Sequence, residues 1–132
     1  MIQRREPSKP AAAGEQRGKT YISDEVVSVI ARIAAEEVEG IHQIGESSLR
    51  GMFSRLGRRH GVESEVGLKE AAVDIEIIVE YGYPIKVVAD NLRRRVIESV
   101  EYMTGRKVIE VNVSVADVYI PKIEKSVKRQ LE

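Results

Sequence analysis

Between Ala72 and Tyr81 the chain alternates without a break: Val73, Ile75, Ile77 and Val79 on one side, Asp74, Glu76 and Glu80 on the other. A period of two over this length predicts a β-strand with one face in the core and one in water. A second alternating run, Val108–Val118, sets Ile109, Val111, Val113 and Val115 against Glu110, Asn112 and Ser114. Shorter strands are predicted at Gly40–Ile44 and at Gly61–Val66, the latter with Val62 and Val66 inward and Glu63 and Glu65 outward. A further short strand is predicted at Lys19–Ile22. Gly67–Glu70 turns the chain between the 61–66 and 72–81 runs, which makes them a hairpin.

Two stretches change period. After Ser23 or Asp24, either of which can cap a helix, Val26, Val27, Ile30, Ile33, Ala34 and Val38 recur at helical spacing and predict a broad buried face. Acids in the first turn suit the positive end of the helix dipole, and Gly40 can stop the run. Tyr81-Gly-Tyr-Pro84 ends the long strand and opens a second helix, with Pro84 near its first position. Its predicted stripe is Ile85, Val88, Leu92, Val96, Val100 and Met103, and Gly105 ends it. Of Arg93, Arg94 and Arg95, two should face water and the third should lay its stem along the stripe. Each long strand has one apolar face and two amphipathic helices are available to cover it. The predicted class is therefore α+β: a two-layer sandwich, with a mixed or antiparallel sheet of about four to five strands and both long helices on one face.

Residues 1–18 lack periodicity and read as a disordered tail, 19–118 as the domain, and 119–132 as an amphipathic C-terminal helix or tail. In that last stretch Ile120, Ile123, Val127 and Leu131 fall at helical intervals, able to pack on the domain or on a second copy. The chain of 132 residues has 21 basic and 21 acidic side chains, a balance that argues against a general polyanion binder. It has no cysteine, which removes disulfides, thiolate nucleophiles and zinc-thiolate sites. No segment approaches the roughly 20 apolar residues that span a bilayer, and no signal-peptide core is seen, so a cytoplasmic protein is expected.

Catalytic chemistry finds no foothold. His42 and His60 stand without an orienting acid pattern, and the row Asp74, Glu76, Glu80 reads as a solubilising strand face. Neither a phosphate-binding glycine loop nor a dinucleotide fingerprint is present, and no metal-ligand spacing occurs. Asn112-Val-Ser114 matches a glycosylation sequon but falls inside a predicted strand. The expectation is no enzyme, no cofactor, no metal and no small-molecule substrate. One stretch does concentrate charge: Arg50-Gly-Met-Phe-Ser-Arg-Leu-Gly-Arg-Arg-His-Gly61 carries four arginines and no acid. Arg50, Arg55, Arg58 and Arg59 can neutralise phosphates beside Phe53 as a stacking surface. Alternatively, Leu49, Met52, Phe53 and Leu56 make a short amphipathic helix whose arginines meet a partner or only water.

Ile22–Ile41 (ISDEVVSVIARIAAEEVEGI), Val73–Pro84 (VDIEIIVEYGYP) and Met103–Val118 (MTGRKVIEVNVSVADV) together resemble the alkaline-shock protein family of bacterial envelope stress response proteins. The resemblance runs from about Thr20 to Val118 and rests on the Glu-Gly-Ile helix end, the EYG turn and the Thr-Gly before an alternating strand. It implies a non-enzymatic, self-associating protein that collects beneath the cell membrane through a separate membrane-embedded anchor protein. It carries no catalytic residues to transfer. The reading from a different class is a nucleic-acid-binding domain using the Arg50–Arg59 segment.

Overall fold

The structure is a computed structural model, and residues 17–45 and 61–121 are described. The calls on residues 1–16, on Arg50, Phe53, Arg55, Arg58, Arg59 and His60, and on 122–132 lie outside the described residues. The elements run α1 (Asp24–Glu36), β1 (Ile41–Ile44), β2 (Val62–Val66), β3 (Glu70–Glu80), α2 (Ile85–Thr104) and β4 (Lys107–Tyr119). This is the α+β arrangement that the periodicity predicts. The sheet is mixed: β1 and β2 run antiparallel to β3, and β4 runs parallel to it.

β3 organises the sheet. β4 pairs with it along its whole length, Glu70↔Lys107 to Glu80↔Tyr119. That leaves one edge, which β1 and β2 share end to end: Ile41–Ile44 lies beside Ile77–Val79, and Val62–Val66 lies beside Ala71–Ile75. The Gly45 N–H continues the ladder to the Glu76 carbonyl at 2.7 Å. β1 and β2 are thus one edge strand opened between Gly45 and Gly61. The seam requires glycine, since Gly61 has φ +81° and a Cβ there would lie 2.6 Å from the Gly45 Cα. The sheet counts four strands but is only three wide.

The buried side of β3 carries Val73, Ile75, Ile77 and Val79, each no more than 1% exposed. Fully burying such a side chain contributes roughly 1.5–3 kcal/mol, so these four anchor the core. α1 meets them with Val27, Ile30, Ala31, Ala34, Ala35 and Val38, and α2 with Val88, Leu92, Val96 and Val100. Ser23 caps α1, its Oγ accepting from the Val26 N–H, and Gly105 closes α2 in the left-handed conformation at φ 74°. Pro84 itself is the N-cap of α2 rather than its first residue.

Four expectations are corrected. Lys19–Ile22 is not a strand: both edges of β3 are already occupied, and the Thr20 carbonyl instead accepts from Arg106. α1 is rotated relative to its predicted face, because small Ala31 and Ala35 let the helix sit close to its neighbours. Val26 and Ile33 stay in water, 45% and 54% exposed. On α2, Ile85 and Met103 are exposed, and Thr104 is buried in their place with its hydroxyl donating to the Val100 carbonyl. On β4, Ile109 faces out at 54% exposure. The register to β3 skips it, Ala71↔Val108 then Ala72↔Glu110, and this bulge inverts the alternation so that Val108 and Val111 point in.

Arg106, 8% exposed, knots three segments. Its guanidinium donates to the carbonyls of Gly67 (3.0 Å), Thr104 (3.2 Å) and Thr20 (2.7 Å). The hairpin turn, the end of α2 and the chain leading into α1 are thereby held together. Arg106→Met leaves those carbonyls without their donor, and is expected to lower the unfolding free energy by roughly 2–4 kcal/mol. Urea denaturation followed by circular dichroism reads this, and an unchanged midpoint contradicts the role.

Candidate interaction surfaces

The face of the sheet away from the helices is strongly acidic. The register brings Glu63 and Glu65 of β2, Glu70, Asp74, Glu76 and Glu80 of β3, and Glu110 and Asp117 of β4 to that one side. Among the described residues, Lys107, opposite Glu70, is the only lysine or arginine at a strand position on this side. Crowding is relieved in its middle by Asn112, whose amide donates to Asp74 Oδ1 (2.9 Å) and to Glu110 Oε2 (2.6 Å). The sequon asparagine is therefore tied up within the sheet. A surface of one sign repels polyanions and repels its own copy face to face.

The rest of the chain balances it. Of the 21 bases and 21 acids, 10 and 16 lie among the described residues, so 11 and 5 lie outside them. Overall neutrality thus hides an acid excess among the described residues and a basic excess in the rest of the sequence. The 46–60 segment, which holds Arg50, Phe53, Arg55, Arg58 and Arg59, departs and returns at the Gly45–Gly61 seam on the sheet edge. That placement was invisible in the pattern, because nothing in it says that β1 and β2 are collinear.

Histidine and tyrosine gather where β3 ends. His42 lies at the register skip between Ile41↔Val79 and Gln43↔Ile78, and its ring stacks on Tyr119 at 3.8 Å and 5°. Nearby, Tyr83 donates to Glu39 Oε2 at 3.5 Å. The Glu39 charge, burial, the Glu80 charge and this hydrogen bond together hold the Tyr83 phenol above its ordinary value of 10.0. Gly40 sits beneath this corner, where a Cβ would come within 2.8 Å of Val88 and 3.0 Å of Tyr83. A hollow of about 470 Å³ opens alongside, lined chiefly by Val79, Tyr81, Tyr83, Pro84, Ile85 and Val118. On α2, Asp90 is pulled below its ordinary value by the hydrogen bond from Lys86, with Arg93 adding to the effect and burial opposing it.

The helical layer offers apolar surface instead. Val26, Val29 and Ile33 lie on one side of α1 at i, i+3 and i+7, each about half exposed, and Tyr21 and Tyr102 are exposed at 76% and 89%. An ion pair joins Arg95 of α2 to Glu37, the C-cap residue of α1. No group of three or more His, Cys, Asp or Glu side chains is arranged to hold a metal among the described residues. No helix among them is long and apolar enough to cross a membrane.

Residues 12–120 match the alkaline shock protein family, described by a cell envelope-related function. The chain belongs to that family. This family member is 35% identical over 106 residues to the stress response regulator gls24 homolog of Streptococcus pyogenes serotype M3, covering 77% of this chain and 59% of that protein. The chain thus spans 59% of the length of that streptococcal relative. It is 30% identical over 104 residues to the uncharacterized protein YqhY of Bacillus subtilis, covering 76% of this chain and 77% of the other. Among solved structures, a MamM CTD aligns with a TM-score of 0.45 at 18% identity, over 70% of this chain and 93% of that one.

The raised Tyr83 value has a sign. A phenol whose folded value lies above its unfolded one contributes stability that is complete below about pH 10 and is lost as pH rises through the raised value. Wild-type stability is expected to fall on that alkaline side, and the Tyr83→Phe variant is expected to show a shallower fall. Thermal melts across that pH range test it, and parallel curves for the two chains count against it.

Proposed function

We propose that this chain acts by binding, as a self-associating component of the bacterial cell-envelope stress response held at the inner face of the membrane through a membrane-anchored partner. The observation that carries the reading is the α1 stripe of Val26, Val29 and Ile33. Three neighbouring β-branched side chains left half in water are a surface that association can cover. The acidic sheet face complements this by keeping copies from stacking sheet to sheet, so contact is directed to the helices. Family membership and the stress-response name of the streptococcal relatives support the biological setting. The reading includes no turnover: the chain positions partners and transforms nothing.

Sedimentation velocity is expected to show oligomers that grow with concentration. Val29→Asp combined with Ile33→Asp should weaken association at least about tenfold while leaving the far-UV spectrum intact, since a charge in an apolar contact costs upward of 1.4 kcal/mol. A wild-type chain that stays monomeric at high concentration overturns the reading. Pull-down from a native membrane fraction, read by mass spectrometry, is expected to return one integral membrane protein.

The basic remainder of the chain supports a second reading, nucleic-acid binding by Arg50, Arg55, Arg58 and Arg59. It requires RNA or DNA affinity that falls steeply with salt and disappears on replacing those arginines with glutamine. Negligible binding at low salt removes it.

A further inference from the structure

The 470 Å³ hollow at the end of β3 combines three kinds of surface. Val79, Val118, Pro84 and Ile85 line it with apolar groups, Tyr81 and Tyr83 with aromatic rings, and Glu80 is the one acid among its walls. Its volume falls within the range of small-ligand sites. The two rings differ in freedom. Tyr83 is set in place, its ring so close to Gly40 that a Cβ there would come within 3.0 Å of it, and its hydroxyl donates to Glu39 Oε2 at 3.5 Å. Tyr81 is 69% exposed and precedes Gly82, whose φ of +104° turns the chain in open space.

Negative charge is left unbalanced at this corner. Glu39 and Glu80 are brought together because the Glu80 N–H donates to the Gly40 carbonyl at 2.8 Å. Among the described residues, neither carboxylate has a lysine or arginine in an ion pair. Lys86, the nearest base to Glu80 along the chain, is held by Asp90 at 3.0 Å. The Tyr83 phenol registers the charge, since Glu39 first, then burial, then Glu80 raise it above its ordinary value.

Aromatic faces beside uncompensated carboxylates attract cations. The start of α2 selects among them. Ile85 opens that helix, so a charge pressed against it would meet the positive end of the helix dipole. A cation on an apolar stem avoids this conflict, because the stem covers Pro84 and Ile85 while the head stays at the rings and carboxylates. Guanidinium suits the corner better than ammonium, being planar, weakly hydrated and able to stack on a ring and fork onto a carboxylate. Within the chain, Arg32, Arg93, Arg94, Arg95 and Arg106 are already engaged by other groups. That favours another protein as the source of the cation.

We propose that this corner binds an arginine side chain presented by a partner protein, its guanidinium against Tyr81 and Tyr83 beside Glu80 and its stem on Pro84 and Ile85. The site is separate from the α1 stripe, and either reading can fail alone.

The test uses the ¹⁵N-labelled full chain at fixed ionic strength and two probes, Nα-acetyl-arginine N-methylamide and its uncharged citrulline analogue. The arginine probe is expected to shift the amide signals of residues 79–85 and 118 to saturation, and the citrulline probe to bind at least about fivefold more weakly. Tyr81→Leu keeps an apolar side chain without the ring, and Glu80→Gln keeps the shape without the charge. Each should weaken the arginine probe about two- to fivefold and leave the rest of the spectrum in place. Equal binding of the two probes reduces the corner to an apolar hollow and overturns the proposal. Shifts spread over Glu63, Asp74 and Glu110 show attraction to the acidic plane alone and overturn it too, as does the absence of saturating shifts. Corner signals that move with the concentration of the chain by itself assign the cation to a second copy, which rules out a separate partner.

Discussion

The structure depends on a single strand whose two sides want opposite surroundings. β3 is hydrogen-bonded along both edges, buries four branched side chains on one face and carries a row of carboxylates on the other. Apolar burial draws both helices to the first face. The cost of desolvating carboxylates keeps any further layer off the second. The two layers of the described residues follow from that conflict. β2 and β4 extend the conflict sideways, because antiparallel and parallel neighbours alike place outward residues beside outward residues. The result is one acidic plane in place of scattered charges.

Edges decide what such a sheet can do next. An unpaired strand edge is a template for adding another chain, and this protein limits both of its edges. On one side the edge strand is opened at a glycine seam between Gly45 and Gly61. On the other, Glu101 and Arg93 occupy backbone groups of β4, and two bulges, at Ile109 and Ala116, break its regularity. With the sheet face charged and its edges hindered, the apolar side chains of the helical layer are left as the surface suited to lasting contact.

Electrostatics is divided by region. The described body is acidic and the segments outside it are basic, so the zero net charge of the whole misstates what any partner would meet. A cationic partner and an anionic one would engage different parts of the molecule, and both attractions would be screened beyond about 8–10 Å at physiological salt. Within the body, Arg106 shows the opposite use of charge. Buried with backbone carbonyls around it, it serves as a donor set with fixed geometry and joins segments that are distant in sequence.

Local pattern alone located the six elements of the described residues, though it also placed a strand at Lys19–Ile22 that the structure lacks. Strict alternation identified β3, the Gly67–Glu70 turn identified the β2–β3 hairpin, and Ser23 and Gly105 marked helix ends, because each depends on neighbours a few residues away. The family was legible for the same reason, through short stretches in a fixed order. Only the tertiary structure decided that β1 and β2 share one edge, that β4 runs parallel, and that eight carboxylates meet on one plane, since these depend on pairing between distant segments. It also decided which side of α1 is buried. Alanine and isoleucine both fit a helical stripe, and close packing selected Ala31 and Ala35 over Val26 and Ile33. A single skipped residue at Ile109 reversed the facing of a strand segment whose composition had not changed, because strand facing has a period of two and one insertion inverts it.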